Sequence, residues 1–312
     1  MNSTPPGPAV EVVGLRKAYG EKVAVADVGF TVEHGEVFGI LGPNGAGKTT
    51  TVEAVAGMRV GDAGRIRVHG LDPWTERDAL TRVLSIQLQE SRLQAKITAQ
   101  EAFELWSALY DDPVPWREVA ERLGLTEHLG RRFGALSGGQ QQRLSIALAL
   151  VARPRVVVLD ELSTGLDPRA RRDVWQVVRD LRAGGTTVLL VTHSMEEAQS
   201  LCDRVAIIDR GRIRALDTPE GLIRAAGEAT TMTFVPSTPI DLDAVRDLPG
   251  VTEVRAEGGL VVVTGAEDAA VTVVTDLVAR GVVPTRLNVT AGSLDSAYLD
   301  LTAAPDQVET PA

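Results

Sequence analysis

The sequence predicts an α/β protein with a large domain built on a mainly parallel sheet and a smaller α+β domain after it. Three observations support this fold class. Apolar segments typical of buried strands alternate with helical segments as far as residue 208, an order typical of parallel sheets covered by helices. One of these strands, Val37–Leu41, leads directly into a glycine-rich loop and a helix. After the segment Pro219–Gly227, the order changes to strand, helix, strand, strand, helix and strand.

We expect the large domain to span residues 10–222, after a proline-containing leader at residues 1–9 that we expect to be disordered. Alternating apolar and polar residues predict short antiparallel strands at Val10–Leu15, Val23–Val28 and Phe30–Val32. Apolar runs predict buried strands, and apolar residues spaced three and four apart predict helices. The predicted strands are Val37–Leu41, Arg65–Val68, Val83–Ile86, Val156–Leu159, Val188–Val191 and Val205–Ile208, and the helical segments are Thr49–Ala56, Ile97–Leu150 and Arg169–Arg182.

The small domain is predicted over residues 228–302, after a polar, glycine-containing link at Pro219–Gly227. Its predicted elements are Thr231–Val235, Leu242–Leu248, Val251–Arg255, Leu260–Thr264, Asp268–Arg280 and Pro284–Val289, with a short helix at Leu294–Leu301. This βαββαβ order is ferredoxin-like. Such domains also bind small regulatory ligands, but a fold alone does not imply a function. We therefore prefer a packing or dimer-stabilising role, and we expect residues 303–312 to form a flexible tail.

Composition restricts the possible functions. The net charge of −10 disfavours nonspecific binding to nucleic acid and direct adsorption to an anionic membrane. No segment approaches the roughly 20 apolar residues that a membrane-spanning helix needs. Cys202 is the single cysteine, which excludes an intrachain disulfide and fits a cytosolic location. The histidines His34, His69 and His128 lack metal-ligand spacing and are predicted to lie at the surface.

A phosphate-binding loop is predicted at Gly42–Thr49, which matches the pattern G-x-x-x-x-G-K-S/T in full. Its glycines let backbone N–H groups surround phosphates, and the following helix N-terminus favours negative charge. Lys48 can reach the β- and γ-phosphates of a nucleotide, and the Thr49 hydroxyl can bind Mg²⁺. A turn that binds nothing is disfavoured because strand, loop and helix are all in place. The predicted nucleotide-binding residues here are Gly42, Pro43, Asn44, Gly45, Ala46, Gly47, Lys48, Thr49 and Thr50.

Further motifs identify a family. Leu136–Arg143 has the sequence LSGGQQQR, which resembles the signature of ABC ATPases, the nucleotide-binding subunits of ABC transporters. Other motifs of that family follow its order over residues 10–217: Tyr19 for stacking on adenine, Gln89 of the Q-loop, the Walker B strand Val156–Glu161, the D-loop Ser163–Pro168 and the switch histidine His193. The resemblance implies a P-loop ATPase fold with antiparallel and helical subdomains, with ATP and Mg²⁺ as its ligands.

The chemistry of three of these residues can be stated from their positions. A carboxylate at the tip of a buried strand, here Asp160, can hold Mg²⁺, mostly through water. The next carboxylate, Glu161, is placed to accept a proton from the attacking water. His193 can bond to the γ-phosphate and hold the site in its reactive geometry. The resemblance adds Gln89 as a catalytic residue that also contacts Mg²⁺.

The signature predicts a dimer. Ser137 and Gly138 begin a helix, so their N–H groups can bind a γ-phosphate. The resemblance implies that these two residues serve the ATP held by the opposite subunit, and it adds Gly139, Gln140 and Asp167 as nucleotide-binding residues. Two chains would then meet head-to-tail with two ATP molecules between them. The resemblance also implies an integral membrane permease on a separate chain, a location at the cytoplasmic face of the membrane, and no nucleic-acid partner.

The branch of the family is suggested by three segments. Ser85–Arg92, Glu161–Pro168 and Leu294–Thr302 resemble the daunorubicin-resistance exporters. Within the first two segments, Leu88 and Leu162 stand where many ABC ATPases have proline, and neither departure removes a catalytic side chain. This resemblance implies export of a hydrophobic drug, lipid or similar solute. Two alternatives stay open: an importer ATPase, which would need an external binding protein, and a soluble ABC ATPase acting on ribosomes or nucleic acid. We also predict that the permease docks around Gln89–Tyr110, on part of an apolar set formed by Leu93, Phe103, Trp106 and Tyr110.

Overall fold

The protein is described from a computed structural model, in which residues 7–87, 93–226, 230–266, 268–290 and 292–303 are placed well enough to describe. The chain divides into two compact units, Met1–Pro219 and Glu220–Ala312. Within the described ranges, no helix combines the length and the apolar character needed to cross a lipid bilayer.

A nine-stranded sheet forms the centre of the first unit. Its strands are β1 (Val10–Tyr19), β2 (Lys22–Val32), β3 (Val37–Leu41), β4 (Ala63–Val68), β5 (Leu84–Gln87), β6 (Val156–Asp160), β7 (Thr187–Thr192), β8 (Arg204–Asp209) and β9 (Arg212–Asp217). The spatial order is β4-β1-β2-β9-β8-β3-β7-β6-β5. Strands β8, β3, β7, β6 and β5 run parallel, whereas β1 pairs antiparallel with β2 and β4. The predicted combination of a mainly parallel sheet and an antiparallel part is confirmed.

The helices of the first unit pack on the sheet and on one another. They are α1 (Lys48–Val55), α2 (Arg77–Leu80), α3 (Ala99–Ser107), α4 (Trp116–Arg122), α5 (Gly138–Val151), α6 (Pro168–Ala183) and α7 (Met195–Leu201). Every residue of β3, β6 and β7 is buried, as expected for strands that are packed on both faces. This double burial explains why the three strands appear in the sequence as continuous apolar runs rather than as alternating patterns.

The second unit has the ferredoxin-like arrangement. After α8 (Pro219–Ala225), its elements are β10 (Thr230–Pro236), α9 (Leu242–Arg246), β11 (Val251–Glu257), β12 (Leu260–Gly265), α10 (Ala269–Ala279), β13 (Pro284–Thr290) and α11 (Leu294–Ala303). The antiparallel sheet has the order β11-β12-β10-β13. Its core includes Met232, Phe234, Val263 and Leu277. The predicted βαββαβ order is thus confirmed, and β13 forms one edge of the sheet.

Several elements differ from the sequence-based expectation. The helical segment predicted over Ile97–Leu150 is divided into three α-helices and two short 3₁₀-helices, Thr126–His128 and Phe133–Ala135. It is divided because prolines precede α4 and Gly124, at φ 62°, ends it. Strand β9 was not predicted. The chain turns into it at Arg210 and Gly211, which both have positive φ angles. Most residues of β9 are half-exposed, so the sequence shows only a weak strand pattern there. The expected link at Pro219–Gly227 contains the helix α8, since proline suits the first turn of a helix.

Candidate active site

The phosphate loop lies between the end of β3 and the start of α1, whose N-cap is Gly47. A Cβ atom at Gly42 would collide with the carbonyl oxygen of Ile208, and one at Gly47 with that of Ala24. Both glycines have positive φ angles, 156° and 106°, which disfavour other residues. At Gly45 a Cβ atom would meet nothing within 4 Å. The loop is therefore packed against the sheet on one side and open on the other, where a phosphate can reach its N–H groups.

Lys48 is held across this loop. Its side chain is buried, and Nζ donates to the carbonyl oxygens of Gly42 at 2.7 Å and Pro43 at 3.0 Å. Burial lowers the pKa of Lys48, while the charges of Glu161 and Asp160 act in the opposite direction. An ammonium group bonded to loop carbonyls can exchange these partners for phosphate oxygens, which carry more negative charge. The lysine thus fits the β- and γ-phosphates of a nucleotide.

Two neighbouring carboxylates lie at the end of β6, where Asp160 is the last residue of the strand and Glu161 follows it. Asp160 is buried, and burial, followed by the charge of Glu161, raises its pKa to about 6, with Lys48 opposing the rise. Glu161 has φ of 51°, which is rare for a residue with a side chain. Its N–H group donates to the carbonyl oxygen of Val191 at 2.8 Å, which ties this residue to the end of β7. The strained backbone thereby orients the Glu161 side chain at the edge of the sheet.

His193 completes this group of side chains. Its Nδ1 lies 3.4 Å from Glu161 Oε1, and the Thr164 hydroxyl donates to Glu161 Oε2 at 3.3 Å. The phosphate loop, Glu161 and His193 follow three adjacent parallel strands, β3, β6 and β7, in the region where ligands of α/β sheets bind. They border a cavity of about 480 Å³, the nucleotide cavity, which is lined by Tyr19, Lys22, Ala24, Asn44, Gly45, Gly47, Lys48, Thr49, Thr50, Glu161 and His193.

Tyr19 lies at the end of β1 and is 43% exposed. The Lys17 ammonium lies 5.8 Å from the centre of its ring and the Arg59 guanidinium 5.5 Å. Since the ring borders the nucleotide cavity, it can stack on a base whose phosphates lie in the loop.

The signature residues and Asp167 are absent from the lining of the nucleotide cavity, as far as the described residues show. Ser137 and Gly138 are exposed, and Ser137 caps α5 by accepting from the N–H of Gln140, whose Oε1 accepts from the N–H of Ser137. Asp167 is also exposed and caps α6 through the N–H groups of Arg169 and Ala170, which lower its pKa. Gly139 is buried close to Ala170. The signature is thus presented at the surface of the subunit.

Sequence comparison defines the family. Residues 25–164 match a family model described as ABC transporter. The daunorubicin resistance ATP-binding protein DrrA2 of Streptomyces coeruleorubidus is 39% identical over 226 residues, 71% of this chain and 70% of that protein. The Nod factor export ATP-binding protein I of Ralstonia nicotianae is 41% identical over 233 residues, 70% and 72% of the two chains.

The chain belongs to the ABC transporter family. A solved structure of an ATP-binding subunit of an ABC transporter superimposes with a TM-score of 0.64 and 27% identity, over 70% of this chain and 93% of that one. The fold class, the family and the enzyme class predicted from the sequence are confirmed. This chain is therefore an ABC ATPase subunit that uses ATP with Mg²⁺.

The donor set of this ABC ATPase suits Mg²⁺ that arrives with its nucleotide. Among the described residues, no group of three or more His, Cys, Asp and Glu side chains could hold a metal ion. Mg²⁺ keeps several waters and commonly takes one or two carboxylates together with substrate phosphates. Asp160 offers one such carboxylate, and Thr49 adds a hydroxyl oxygen, the other protein ligand that phosphate-loop NTPases give to Mg²⁺. Gln89, the third predicted Mg²⁺ contact, lies outside the described residues.

Two residues that line the nucleotide cavity of this ABC ATPase were not predicted from the sequence. Lys22 and Ala24 line the nucleotide cavity from the start of β2. Lys22 carries a weak signal, since it is one of only four lysines in the chain, Lys17, Lys22, Lys48 and Lys96. Ala24 carries none, because its position beside Gly47 depends on how β2 packs against the loop.

Proposed function

We propose that this chain is the ATP-hydrolysing subunit of an exporter, acting as a head-to-tail homodimer on a separate membrane permease at the cytoplasmic face of the membrane. The observation that carries the proposal is the separation of the site into two parts. Lys48, Glu161 and His193 converge on the nucleotide cavity, whereas Ser137 and Gly138 of the signature lie exposed outside it. Relatives named for daunorubicin resistance and Nod factor export support an exported, largely hydrophobic solute such as a drug or lipid.

In the proposed site, the open N–H groups of the phosphate loop and Lys48 bind the β- and γ-phosphates, and Tyr19 stacks on the adenine. Bound Mg²⁺, held by Thr49, Asp160 and Gln89, would neutralise charge on the phosphate oxygens. Water attacks the γ-phosphorus in line with the bridging β–γ oxygen, and that P–O bond breaks to leave ADP and phosphate.

Glu161 accepts the proton of the attacking water in this scheme. His193, 3.4 Å from the Glu161 carboxylate, donates to the γ-phosphate and stabilises its charge in the transition state. Both side chains lie at the ends of rigid buried strands, so their geometry costs little reorganisation during the reaction.

The dimer is proposed because Ser137 and Gly138 of the signature are exposed and do not line the nucleotide cavity of their own subunit. The α5 N-terminus begins at Gly138, and four N–H groups at the start of any helix lack partners within it. The Ser137 hydroxyl satisfies one of them, the N–H of Gln140. A γ-phosphate held by a second chain would supply acceptors for others, with Asp167 close to the same interface.

Export can be tested in inverted membrane vesicles that contain this chain and its co-purifying permease. We expect ATP-driven uptake of a hydrophobic drug such as daunorubicin, and no uptake when the chain carries Glu161→Gln. ATPase activity without movement of any hydrophobic solute would contradict export and would favour the importer or soluble alternatives.

A groove of about 340 Å³ supports the proposed permease docking site. Its lining includes Met58, Leu84 and Ile86 of the ATPase core. It also includes Leu93, Trp106 of α3 and Tyr110. Phe103, which the sequence placed in the same apolar set, is fully buried and stacks on Trp116 with ring centres 5.5 Å apart. Phe103 therefore belongs to the core, and the proposed docking surface consists of Leu93, Trp106 and Tyr110 with the core residues beside them.

Trp106→Glu should release the chain from its permease, because a carboxylate in an apolar interface must lose its hydration. We expect the share of the chain in the membrane fraction to fall at least tenfold, which corresponds to a loss of about 1.4 kcal/mol in binding free energy. Basal ATPase activity should not change. Leu109→Glu is the matched control, since Leu109 is 67% exposed and lies outside the groove. Equal membrane association of Trp106→Glu and wild type would contradict the docking site.

The second unit is proposed to stabilise the dimer. Several large apolar side chains of this unit are exposed: Val271, Val278, Val283, Leu287, Val289 and Leu299. β13 is an edge strand whose residues are nearly all exposed, and exposed apolar edges commonly pair with another chain. A second copy of this unit is the proposed partner.

A chain that ends at residue 227 should therefore bind ATP with near-normal affinity but dimerise less. The first unit has its own core and keeps the whole nucleotide cavity. Sedimentation of the full and shortened chains with ATP, both carrying Glu161→Gln, measures the dimer fraction. Equal fractions would refute the stabilising role and favour ligand sensing, while loss of ATP binding would show that the domain boundary is misplaced.

A further inference from the structure

A second cavity, of about 420 Å³, lies at the edge of the parallel sheet opposite the nucleotide cavity. It is lined by His34, His69, Arg153, Arg155 and the segment Gly184–Thr187, and we call it the amino-edge cavity. Most of these residues immediately precede or begin β3, β6 and β7. The residues of the nucleotide cavity instead follow the same three strands. The two cavities are therefore separate sites on one sheet.

The amino-edge cavity concentrates positive charge in a chain whose net charge is −10. All its ionisable lining residues are basic: His34, His69, Arg153 and Arg155. Arg153 approaches Asp112 at 3.9 Å, but both side chains are largely exposed, and such pairs contribute little. Arg155 has no carboxylate within ion-pair distance in the part of the chain that the structure describes. The protein itself thus leaves the two guanidinium groups poorly neutralised.

His69 adds an unsatisfied hydrogen-bonding group. Contrary to the sequence-based expectation of a surface residue, both of its ring nitrogens are shielded from solvent, and neither has a hydrogen-bond partner among the described residues. The exposed His34 ring lies edge-on against it with centroids 4.8 Å apart. Burial, then the charges of His34 and Arg155, lower the pKa of His69 to about 4. Buried polar atoms nearly always have hydrogen-bond partners, so His69 retains unused hydrogen-bonding capacity beside this cavity.

We propose that the amino-edge cavity binds a soluble phosphorylated small molecule. The Arg153 and Arg155 guanidiniums donate to the phosphoryl oxygens, an arrangement for which arginine's planar set of donors is well suited. His69 lies in the same lining, so the negative charge of a bound phosphoryl group favours its protonated form and raises its pKa. The positive lining disfavours a metal cation, and the volume lies within the range of sites for metabolite-sized ligands.

Histidine NMR with inorganic phosphate as the probe tests this proposal. The chain has only 4 histidines, so single substitutions assign every imidazole signal. At constant ionic strength, phosphate should shift the His69 and His34 signals saturably and raise the pKa of His69 by at least about one unit. His193 borders the nucleotide cavity and reports phosphate bound there, which separates the two sites. His128 lies in neither cavity and should not respond.

Arg155→Gln should weaken phosphate binding at the amino-edge cavity by at least about tenfold, without changing basal ATPase. Arg172→Gln is the matched control, because Arg172 is exposed and lies outside both cavities. Any of three results would overturn the proposal: no shift of the His69 signal at about 50 mM phosphate, an equal shift with sodium chloride, or phosphate binding by Arg155→Gln that is as tight as that of wild type. Binding to phosphatidic acid vesicles that depends on Arg155, without any response to free phosphate, would assign the site to a lipid headgroup instead.

Discussion

Glu161→Gln should bind ATP almost as tightly as wild type but hydrolyse it about 10²–10⁴-fold more slowly, the range for loss of a general base. Glutamine keeps the shape of the side chain and can still accept the hydrogen bond from Thr164, which is 3.3 Å long in wild type. It cannot accept the proton of the attacking water. Phosphate release measures the rate, and a fluorescent ATP analogue measures affinity.

The nucleotide-bound dimer of this variant should accumulate, because hydrolysis no longer separates the two chains. Sedimentation with and without ATP detects that accumulation. Glu196→Gln is a suitable control, since it makes the same charge change on an exposed residue of α7 that pairs with Arg171. Glu196→Gln should hydrolyse ATP at the wild-type rate. If Glu161→Gln did the same, Glu161 would not be the general base.

Bulky replacements of Ser137 and Gly138, such as Ser137→Phe with Gly138→Trp, should abolish hydrolysis while leaving ATP binding by the monomer nearly intact. Both residues are exposed and lie outside the nucleotide cavity of their own subunit. A large side chain at the start of α5 would instead block approach of the second chain's γ-phosphate. We expect the hydrolysis rate to fall at least about 10²-fold, which is the effect of removing one hydrogen-bond donor that stabilises a transition state.

The lost helix cap needs its own control, since removal of Ser137 also destabilises α5 by about 1 kcal/mol. Asp241→Ala removes a comparable cap from α9 in the second unit, where Asp241 accepts from the N–H groups of Asp243 and Ala244. It should lower thermal stability without affecting the hydrolysis rate. Loss of nucleotide binding by isolated monomers of the Ser137 and Gly138 variant would rule out the head-to-tail model.

Motifs that act through contiguous residues could be predicted from the sequence. The phosphate loop, for example, needs only a short segment between a buried strand and a helix, so its glycines, Lys48 and Thr49 define it locally. The Walker B strand and β3 could be located because burial on both faces produces uninterrupted apolar runs. The family followed from the same local motifs, and the comparisons confirm it.

Other features depend on contacts between distant parts of the chain. The 3.4 Å approach of His193 to Glu161 depends on β6 and β7 lying side by side in register. Strand β9 inserts between β2 and β8 although its half-exposed residues give only a weak pattern. His69 was expected at the surface, but its ring packs against His34, 35 positions earlier in the sequence.

By itself, the sequence determined the fold class, the family and the local chemistry of nucleotide binding, because those properties reside in short motifs and in hydrophobic periodicity. Only the tertiary structure decided that Phe103 lies in the core rather than in a docking surface, and that the signature is exposed outside its own nucleotide cavity. The physical reason is that burial is a property of packing: whether a side chain meets solvent, a neighbouring strand or another subunit depends on residues far away in the chain.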